Sequence, residues 1–260
     1  GDYHTVLQKG LDLAGYDGLL RRRDQARTEG RLAGIGIVTN LEPGGGNNIF
    51  EYLMEPSAEI TTFMEGCEVR VDPQGNVTGI IGTTTSGQGH ETMFATILGE
   101  ELGFDPDDIR IVHGDSLSAL PTRSPVASRM AIMLGSAAAG AAGRIRDRAL
   151  AIAAHNLGRV TADLEYSSGT VFDRNDPSHK LTWEEICFIA YRAYHKLPED
   201  MEPGFQAQYV FQVPGGGKLP DENDRVEIYP CFSFQAHIPY VEIDPGTGRV
   251  TVQDYAIAHD

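Results

Sequence analysis

Residues 83–91, Thr-Thr-Thr-Ser-Gly-Gln-Gly-His-Glu, have the composition of a turn that binds a negatively charged group. A β-type run precedes them and a helical pattern follows, so the segment connects a strand to a helix. Two glycines in such a turn let backbone N–H groups converge on an anion at the helix N-terminus, where the helix dipole is favourable. The hydroxyls of Thr85 and Ser86 add hydrogen-bond donors. The turn is predicted to hold a phosphate or a polar cofactor; the alternative is a merely tight connection.

This turn matches neither of two common nucleotide-binding motifs. No Gly-Lys-Ser/Thr follows it, as a P-loop requires, and Gly87-x-Gly89 lacks the third glycine of the dinucleotide fingerprint. No acidic residue ends the next strand in the expected place either. The ligand of the turn therefore has to be inferred from the rest of the chain.

A second segment of similar character spans residues 121–129, Pro-Thr-Arg-Ser-Pro-Val-Ala-Ser-Arg. It leads into an Ala/Gly-rich helix predicted over about 134–157, and an arginine at a helix start can bind phosphate through two hydrogen bonds. This predicts a second anion site, with two solvated arginines in a surface loop as the alternative. Gly135, Ala139 and Gly143 recur at four-residue spacing on one helix face, which predicts close packing against a sheet or another helix.

Hydrophobic periodicity places both segments in an α+β framework. Residues 72–76 are a tight turn that joins two β-type runs into a hairpin, and apolar residues at helical spacing follow His90 up to Gly103. Residues 182–185 form a capping box that starts a helix running to about residue 195. The other predicted elements are two short helices within 3–30, strands over 32–40, 58–71, 77–84, 109–113, 231–243 and 249–257, and a strand-turn-strand over 163–172.

The order of elements suggests three parts. Residues 1–31 are predicted as a helical lead-in, 32–160 as a first α+β part that cradles a cofactor, and 161–260 as a second α+β part completed by other polypeptide. Residues 69–80 and 241–252 share a strand, an Asp-Pro turn and a strand, which indicates either two similar halves or one common turn used twice. Because an edge strand at the chain end needs a neighbour, we expect a larger assembly.

Composition excludes several classes of function. The 260 residues contain 21 Lys and Arg against 37 Asp and Glu, a net charge of −16, so no basic surplus is present to bind a nucleic-acid backbone. No run approaches the 18 apolar residues of a transmembrane helix. Cys67, Cys187 and Cys231 have no metal-ligand spacing, so we expect three buried thiols in a reducing cytoplasm.

The ordered combination of these segments resembles the large, molybdopterin-binding subunit of molybdenum hydroxylases. This is the family of xanthine dehydrogenase, aldehyde oxidoreductase and aerobic carbon monoxide dehydrogenase. The likeness covers most of the chain from residue 32 onward. The matching features are the Gly-Gln-Gly turn at 87–89, a helix ending near 100–103, Gly114-Asp115 after a strand, Ser128-Arg129 before a small-residue helix, and the strand pair of 241–260.

The resemblance implies a fold, a cofactor and a reaction. The fold is α+β, an incomplete molybdenum-cofactor-binding domain of the aldehyde oxidase/xanthine dehydrogenase type. The cofactor is molybdopterin, often extended as a cytosine dinucleotide, and it performs the chemistry while the protein positions it. Such subunits oxidise a small aldehyde, an N-heterocycle or CO with water-derived oxygen. Electrons then pass to [2Fe–2S] clusters and FAD, which usually lie on partner chains.

The resemblance also implies which residues hold the cofactor. One set lies in the first turn and the other at the start of the Ala/Gly-rich helix, so the two would approach the pterin from opposite sides. The cofactor-binding residues expected on this basis are Ser86, Gly87, Gln88, Gly89, His90, Ala127, Ser128 and Arg129.

Two of the family's functional segments fall outside these residues. The catalytic glutamate of the family lies in a Gly-x-Gly-Glu segment that would follow Asp260, and an Arg-containing loop would precede Gly1. Glu42, Glu65 and Glu91 do not sit in that sequence context, so no catalytic base and no metal ligand is assigned. The chain is expected to be a central portion of the subunit, either a piece of a naturally split subunit or a fragment.

Two other functions stay open at this stage. The chain can be a non-catalytic scaffold or interaction subunit that kept the fold without the cofactor, in which case molybdenum is absent from the intact complex. It can also be a free-standing nucleotide-binding α+β domain, which would bind a nucleotide without molybdenum or partners. The substrate is not predicted, because pocket loops determine it in this family.

Overall fold

The computed structural model describes residues 2–46, 64–118, 120, 122, 125–213, 221–223, 225 and 229–260. These residues form α-helices and mostly antiparallel sheets, as expected for an α+β protein, and the six residues 58–63 of one predicted strand lie outside them. The helices are α1 (Tyr3–Ala14), α2 (Tyr16–Thr28), α3 (His90–Leu102), α4 (Met130–Leu157) and α5 (Trp183–Arg192). The strands are β1 (Leu32–Ile35), β2 (Val38–Gly44), β3 (Met64–Val71), β4 (Val77–Ile81), β5 (Arg110–His113), β6 (Leu164–Ser167), β7 (Thr170–Asp173), β8 (Lys180–Leu181), β9 (Gln206–Gln212), β10 (Cys231–Ile243) and β11 (Val250–His259).

The chain divides into two compact units, Gly1–Gly44 with Cys231–Asp260, and Gly45–Pro230. The predicted boundary between residues 160 and 161 falls inside the second unit. The grouping differs because β10 and β11 pair with strands near the N-terminus and not with the residues before them. None of the helices in the described ranges carries an apolar stretch long enough to cross a bilayer.

The first unit is organised around the long strand β10. Its buried residues alternate with more exposed ones, the period of a strand with one face in a core. Strands β1 and β2 pair with successive halves of one edge of β10, and β11 pairs along the other. The predicted strand over 32–40 is thus two strands, and Pro239, which has no N–H to donate, lies opposite the break at Gly36. The core residues are Leu19, Ala26, Ala33, Ile238 and Tyr240.

The second unit is built on a four-stranded sheet in the order β5-β4-β3-β9. β4 and β5 are parallel, and α3 forms the connection between them. The long helix α4 packs on this sheet, and its small residues Ala137, Ala138 and Ala141 are buried in the same core as Cys67 and Val69 of β3. A smaller sheet of β6, β7 and β8 also contacts α4.

Short-range sequence signals are confirmed in this unit. Asp72 closes the β3–β4 hairpin, because its Oδ1 accepts hydrogen bonds from the N–H groups of Gln74 and Asn76, both at 2.9 Å. The capping box also forms: Thr182 Oγ1 accepts from the N–H of Glu185 at 3.4 Å, and the Glu185 carboxylate accepts from the N–H of Thr182 at 2.8 Å. Helix α5 begins directly after this cap.

Helix α4 uses its small residues differently from the predicted stripe. A Cβ added at Gly135 would lie 3.1 Å from Ile97 of α3, so this glycine does permit a close approach. A Cβ at Gly143 would meet nothing nearer than a side-chain nitrogen of Arg146 at 3.9 Å. The tightest contact is instead at Gly140, where a Cβ would lie 2.4 Å from the ring of Tyr209. The prediction of close packing was wrong at Gly143, because the side of the helix that carries Gly140 faces β9.

Two glycines of α4 form a matched pair for testing this packing. We expect Gly140→Ala to lower the free energy of unfolding by about 1–2 kcal/mol, because overpacking outweighs the gain in helix propensity. Gly143→Ala should raise it by up to about 1 kcal/mol, because alanine is the better helix former and the space is open. Denaturant unfolding of both variants measures the difference; equal effects of the two substitutions would contradict the observed packing.

Candidate functional site

The turn between β4 and α3 is held together by its own side chains. Thr85 Oγ1 accepts hydrogen bonds from the N–H groups of Gly87 at 3.3 Å and Gly89 at 3.2 Å. The same hydroxyl donates to Gln88 Oε1 at 3.2 Å, and that oxygen also accepts from the N–H of Ser86. The turn thus has a defined shape, set by Thr85 and Gln88, although most of its residues are exposed.

The two glycines of this turn are required by the backbone and leave space beside it. Gly87 has φ of 102° and Gly89 has φ of 74°, values that glycine adopts most readily. A Cβ at either position would meet no atom of the described chain within 4 Å. Gly89 is also the N-cap of α3 and makes no side-chain cap hydrogen bond. The start of α3 therefore faces open space with the positive end of its dipole.

The second segment reaches its helix through a strained backbone. Ala127 has φ of 58° and Ser128 has φ of 46°, left-handed values in two consecutive residues that are not glycine. Each such residue costs on the order of 1–2 kcal/mol and persists only when its surroundings fix it. Both are exposed, whereas the following residue, Arg129, is the N-cap of α4 and is 1% exposed.

The surroundings that fix this segment include a buried acid on the neighbouring sheet. Glu65 of β3 is fully buried, and its Oε1 forms an ion pair with the guanidinium of Arg129. Its other oxygen, Oε2, accepts a hydrogen bond from the hydroxyl of Thr122. Nothing in the sequence near Glu65 indicates this partner, because Arg129 lies 64 residues away in the chain.

The structure brings the two predicted segments to one cleft. The cleft has a volume of about 370 Å³. Four of the eight predicted residues line it, namely Gln88, His90, Ser128 and Arg129, whereas Ser86, Gly87, Gly89 and Ala127 are their chain neighbours and do not. The remaining lining residues are Met93, Pro125, Met130 and Ala131.

His90 has a buried polar atom that the described chain leaves unsatisfied. The residue is 6% exposed, and its Nδ1 has no hydrogen-bond partner among the described residues. Its ring lies 6.1 Å from that of Phe94, so the apolar side of the imidazole is packed. Because an unsatisfied buried nitrogen costs about 1–3 kcal/mol, a bound group that hydrogen-bonds to it would stabilise the site.

The cysteines do not add a nucleophile to this site. Burial, with a smaller contribution from Glu68, raises the pKa of the Cys67 thiol to about 12, so this thiol stays protonated at neutral pH. Burial raises the pKa of Cys187 to about 12 as well. The expectation of three buried thiols was wrong for Cys231, which is exposed at one end of β10. The described residues contain no group of three or more His, Cys, Asp or Glu arranged to hold a metal ion.

Comparison with known proteins identifies the family. Residues 9–260 match the family model of the molybdopterin cofactor-binding domain. The chain belongs to this family. The carbon monoxide dehydrogenase large chain of Hydrogenophaga pseudoflava is 31% identical over an alignment that includes 100% of this chain and 30% of that protein. The nicotine 6-hydroxylase large subunit of Paenarthrobacter nicotinovorans is 26% identical, with 97% of this chain and 29% of that subunit aligned.

Solved structures agree with this membership. Carbon monoxide dehydrogenase from Oligotropha carboxidovorans superposes with a TM-score of 0.75 at 28% identity, and quinoline 2-oxidoreductase from Pseudomonas putida 86 with 0.77 at 25%. Each match covers 98% of this chain and 30% of the other. The predicted resemblance and the fold class are therefore confirmed. The chain spans about 30% of the length of the first curated relative that it matches.

The role of Thr85 in shaping the turn can be tested by removing one hydroxyl. Thr85→Val is nearly isosteric and leaves the N–H groups of Gly87 and Gly89 without their acceptor. We expect their amide hydrogen exchange to become several-fold faster, since each lost hydrogen bond is worth about 1 kcal/mol. Thr85→Ser keeps the oxygen and should leave exchange close to the wild-type rate. Unchanged exchange in the valine variant would show that Thr85 does not hold the turn.

Proposed function

We propose that this chain is the molybdopterin-binding portion of a molybdenum hydroxylase large subunit, and that the whole protein is a molybdenum-dependent oxidoreductase. Its family membership supports this, and one observation carries it for this chain in particular. That observation is the cleft in which the turn before α3 and the start of α4 meet, lined by His90, whose buried Nδ1 has no hydrogen-bond partner among the described residues. A small aldehyde, an N-heterocycle or CO is the proposed class of substrate.

The residues present fit such a cofactor. A pterin has a flat polar edge and its side chain ends in phosphate, so it needs both hydrogen-bonding groups and an anion site. His90 Nδ1 offers a hydrogen bond, and the uncapped N-terminus of α3 offers N–H groups and a favourable dipole. The open space beside Gly87 and Gly89 lets a ligand approach the backbone closely.

We propose a division of work between cofactor and chain. The bound molybdopterin supplies the oxidation of the substrate with water-derived oxygen. Ser86–His90 hold it from the side of α3, and Ala127 and Ser128 hold it from the side of α4. Within these segments, Thr85 and Gln88 fix the shape of the turn, and Ala127 and Ser128 are exposed in a left-handed backbone conformation.

The proton acceptor of the reaction is proposed to lie on polypeptide beyond these residues. Glu65 is engaged with Arg129 and Thr122 in the interior of the unit. Glu91, at the start of α3, lies 2.8 Å from Nε2 of His113, and it does not line the cleft. A general base has to reach the reacting proton, and neither carboxylate is placed to do so.

The proposal extends to the form of the cofactor and to the assembly. We propose a cytosine dinucleotide form of molybdopterin, and partner chains that carry [2Fe–2S] clusters and FAD. The names of the relatives support an assembly, since they are a large chain, a large subunit and subunit gamma of a complex. A cytoplasmic location is also proposed, because the three cysteines are free thiols, as in a reducing compartment.

Elemental analysis of the natively purified complex tests the proposal directly. We expect molybdenum at about one per copy of the chain, together with iron and flavin on co-purifying chains. Intact-mass measurement of every chain shows where the remaining parts of the subunit reside. A complex that contains all its chains but no molybdenum would overturn the proposal and favour a scaffold that kept the fold without the cofactor.

His90 and His113 provide a matched pair for testing the cleft. Both have a buried Nδ1 without a hydrogen-bond partner in the described part of the chain, but only His90 lines the cleft. We expect His90→Phe, which keeps the ring and its packing on Phe94, to release molybdenum roughly ten-fold faster, the effect of one lost hydrogen bond of about 1.4 kcal/mol. His113→Phe should release it at the wild-type rate. Equal retention in the two variants would argue against a cofactor contact at His90.

A further inference from the structure

Arg129 lies in the interior with its charge compensated by an acid of the same unit. Its side chain is 1% exposed, and Glu65, its ion-pair partner, is 0% exposed. Two charges buried this deeply are tolerated only when they satisfy each other, because the loss of hydration costs several kcal/mol per ion. A guanidinium that is ion-paired with a buried carboxylate is poorly suited to bind a phosphate as well. The sequence, which shows only an arginine before a helix, does not distinguish these two roles.

Glu65 also joins the two ends of the loop that carries the strained residues. One carboxylate oxygen accepts from Thr122 and the other from Arg129, so a single side chain on β3 holds both ends of the segment 122–129. β3 is an inner strand, paired with β4 on one side and β9 on the other. The loop is therefore attached to one of the most firmly held parts of the unit.

The strained backbone next to Arg129 explains why this attachment is needed. Ala127 and Ser128 are exposed and carry left-handed backbone values with no glycine to relieve them. Such a conformation relaxes unless the residues on either side are fixed. Arg129 directly follows the pair and is fixed twice, by the ion pair to Glu65 and by its carbonyl oxygen, which accepts from the N–H of Met133 at 2.8 Å.

We propose that Glu65 is a positioning residue for the cofactor site: through Arg129 and Thr122 it holds the Ala127–Ser128 backbone in the conformation that contacts the cofactor. Arg129 accordingly pairs with Glu65 and fixes the loop, and it does not bind the cofactor's phosphate. This inference rests on the proposed function, since it assigns a role at the same site. It differs from the role that the family resemblance suggested for Arg129, which was to hold the pterin or its phosphates directly.

A double-mutant cycle in the full native complex separates the two roles of Arg129. Glu65→Gln keeps an acceptor for Thr122 but leaves the buried guanidinium without its counter-charge. Arg129→Met leaves the buried carboxylate without this counter-charge. We expect each single variant to retain molybdenum roughly ten-fold less well on dialysis, the scale of effect seen when an outer support of a bound group is lost. The double variant should retain molybdenum no less well than either single variant, because the two side chains act as one unit and the second substitution removes nothing further.

Direct binding of the phosphate by Arg129 predicts a different result of this double-mutant cycle. If Arg129 binds the phosphate directly and Glu65 does not position the loop, Arg129→Met retains molybdenum poorly, whereas Glu65→Gln frees the guanidinium and retains molybdenum at least as well as wild type. That result would overturn the inference. A wild-type complex without molybdenum would instead overturn the proposed function, and the inference with it, so the two failures are distinguishable.

Two further variants separate positioning from general loss of stability. Asp173→Asn breaks another ion pair with a buried acid in this unit, between Asp173 and Arg159 at 2.5 Å, and neither residue lines the cleft. We expect it to lower Tm and to leave molybdenum retention unchanged. Thr122→Val removes the hydrogen bond to Glu65 and leaves no buried charge uncompensated, so it should fold even if the charge variants do not, and it should lower retention several-fold while Thr122→Ser does not. Equal retention in Thr122→Val and Thr122→Ser would contradict the role of Glu65.

Discussion

The arrangement of the site depends on the buried ion pair between Glu65 and Arg129. It connects an inner strand of the main sheet to the N-cap of the longest helix, and so fixes where that helix begins relative to the strand. A buried pair contributes little net stability compared with apolar residues of the same volume. The pair favours one geometry over all others, because displacing either side chain would leave a buried charge without its counter-charge. The strained backbone at Ala127 and Ser128 can persist only next to such a fixed point.

Close packing of α4 on the sheet makes this pair possible. Ala137, Ala138 and Ala141 are buried in the core that α4 shares with β3, and Gly140 lets the helix approach the ring of Tyr209 on β9. Larger residues would move the helix outward and draw Arg129 away from the strand that carries Glu65. The small residues of α4 therefore influence the cleft although they do not line it. They determine how close the helix lies to the sheet, and so where the start of the helix and the cleft are placed.

Features that act over a few residues could be predicted from the sequence. The Asp72 turn, the capping box of Thr182 and Glu185, and the turn before α3 each follow from side chains within four positions of the backbone they bind. Features that depend on tertiary pairing could not. Glu65 and Arg129 are brought together by the tertiary packing of β3 and α4, and the break between β1 and β2 lies at Gly36, opposite Pro239 of β10, which has no N–H to donate.

The charge of the chain explains why geometry matters so much at this cleft. An anionic cofactor approaching a chain with a net charge of −16 gains nothing from the long-range field, and salt screens that field within about 10 Å. Because Arg129 is ion-paired with Glu65, the attraction that the described residues offer at the cleft comes from backbone N–H groups and the dipole of α3, which act only over short distances. Such interactions lose their strength when the backbone shifts by an ångström. A site of this kind needs a rigid loop more than it needs a cation, and the buried carboxylate of Glu65 supplies that rigidity.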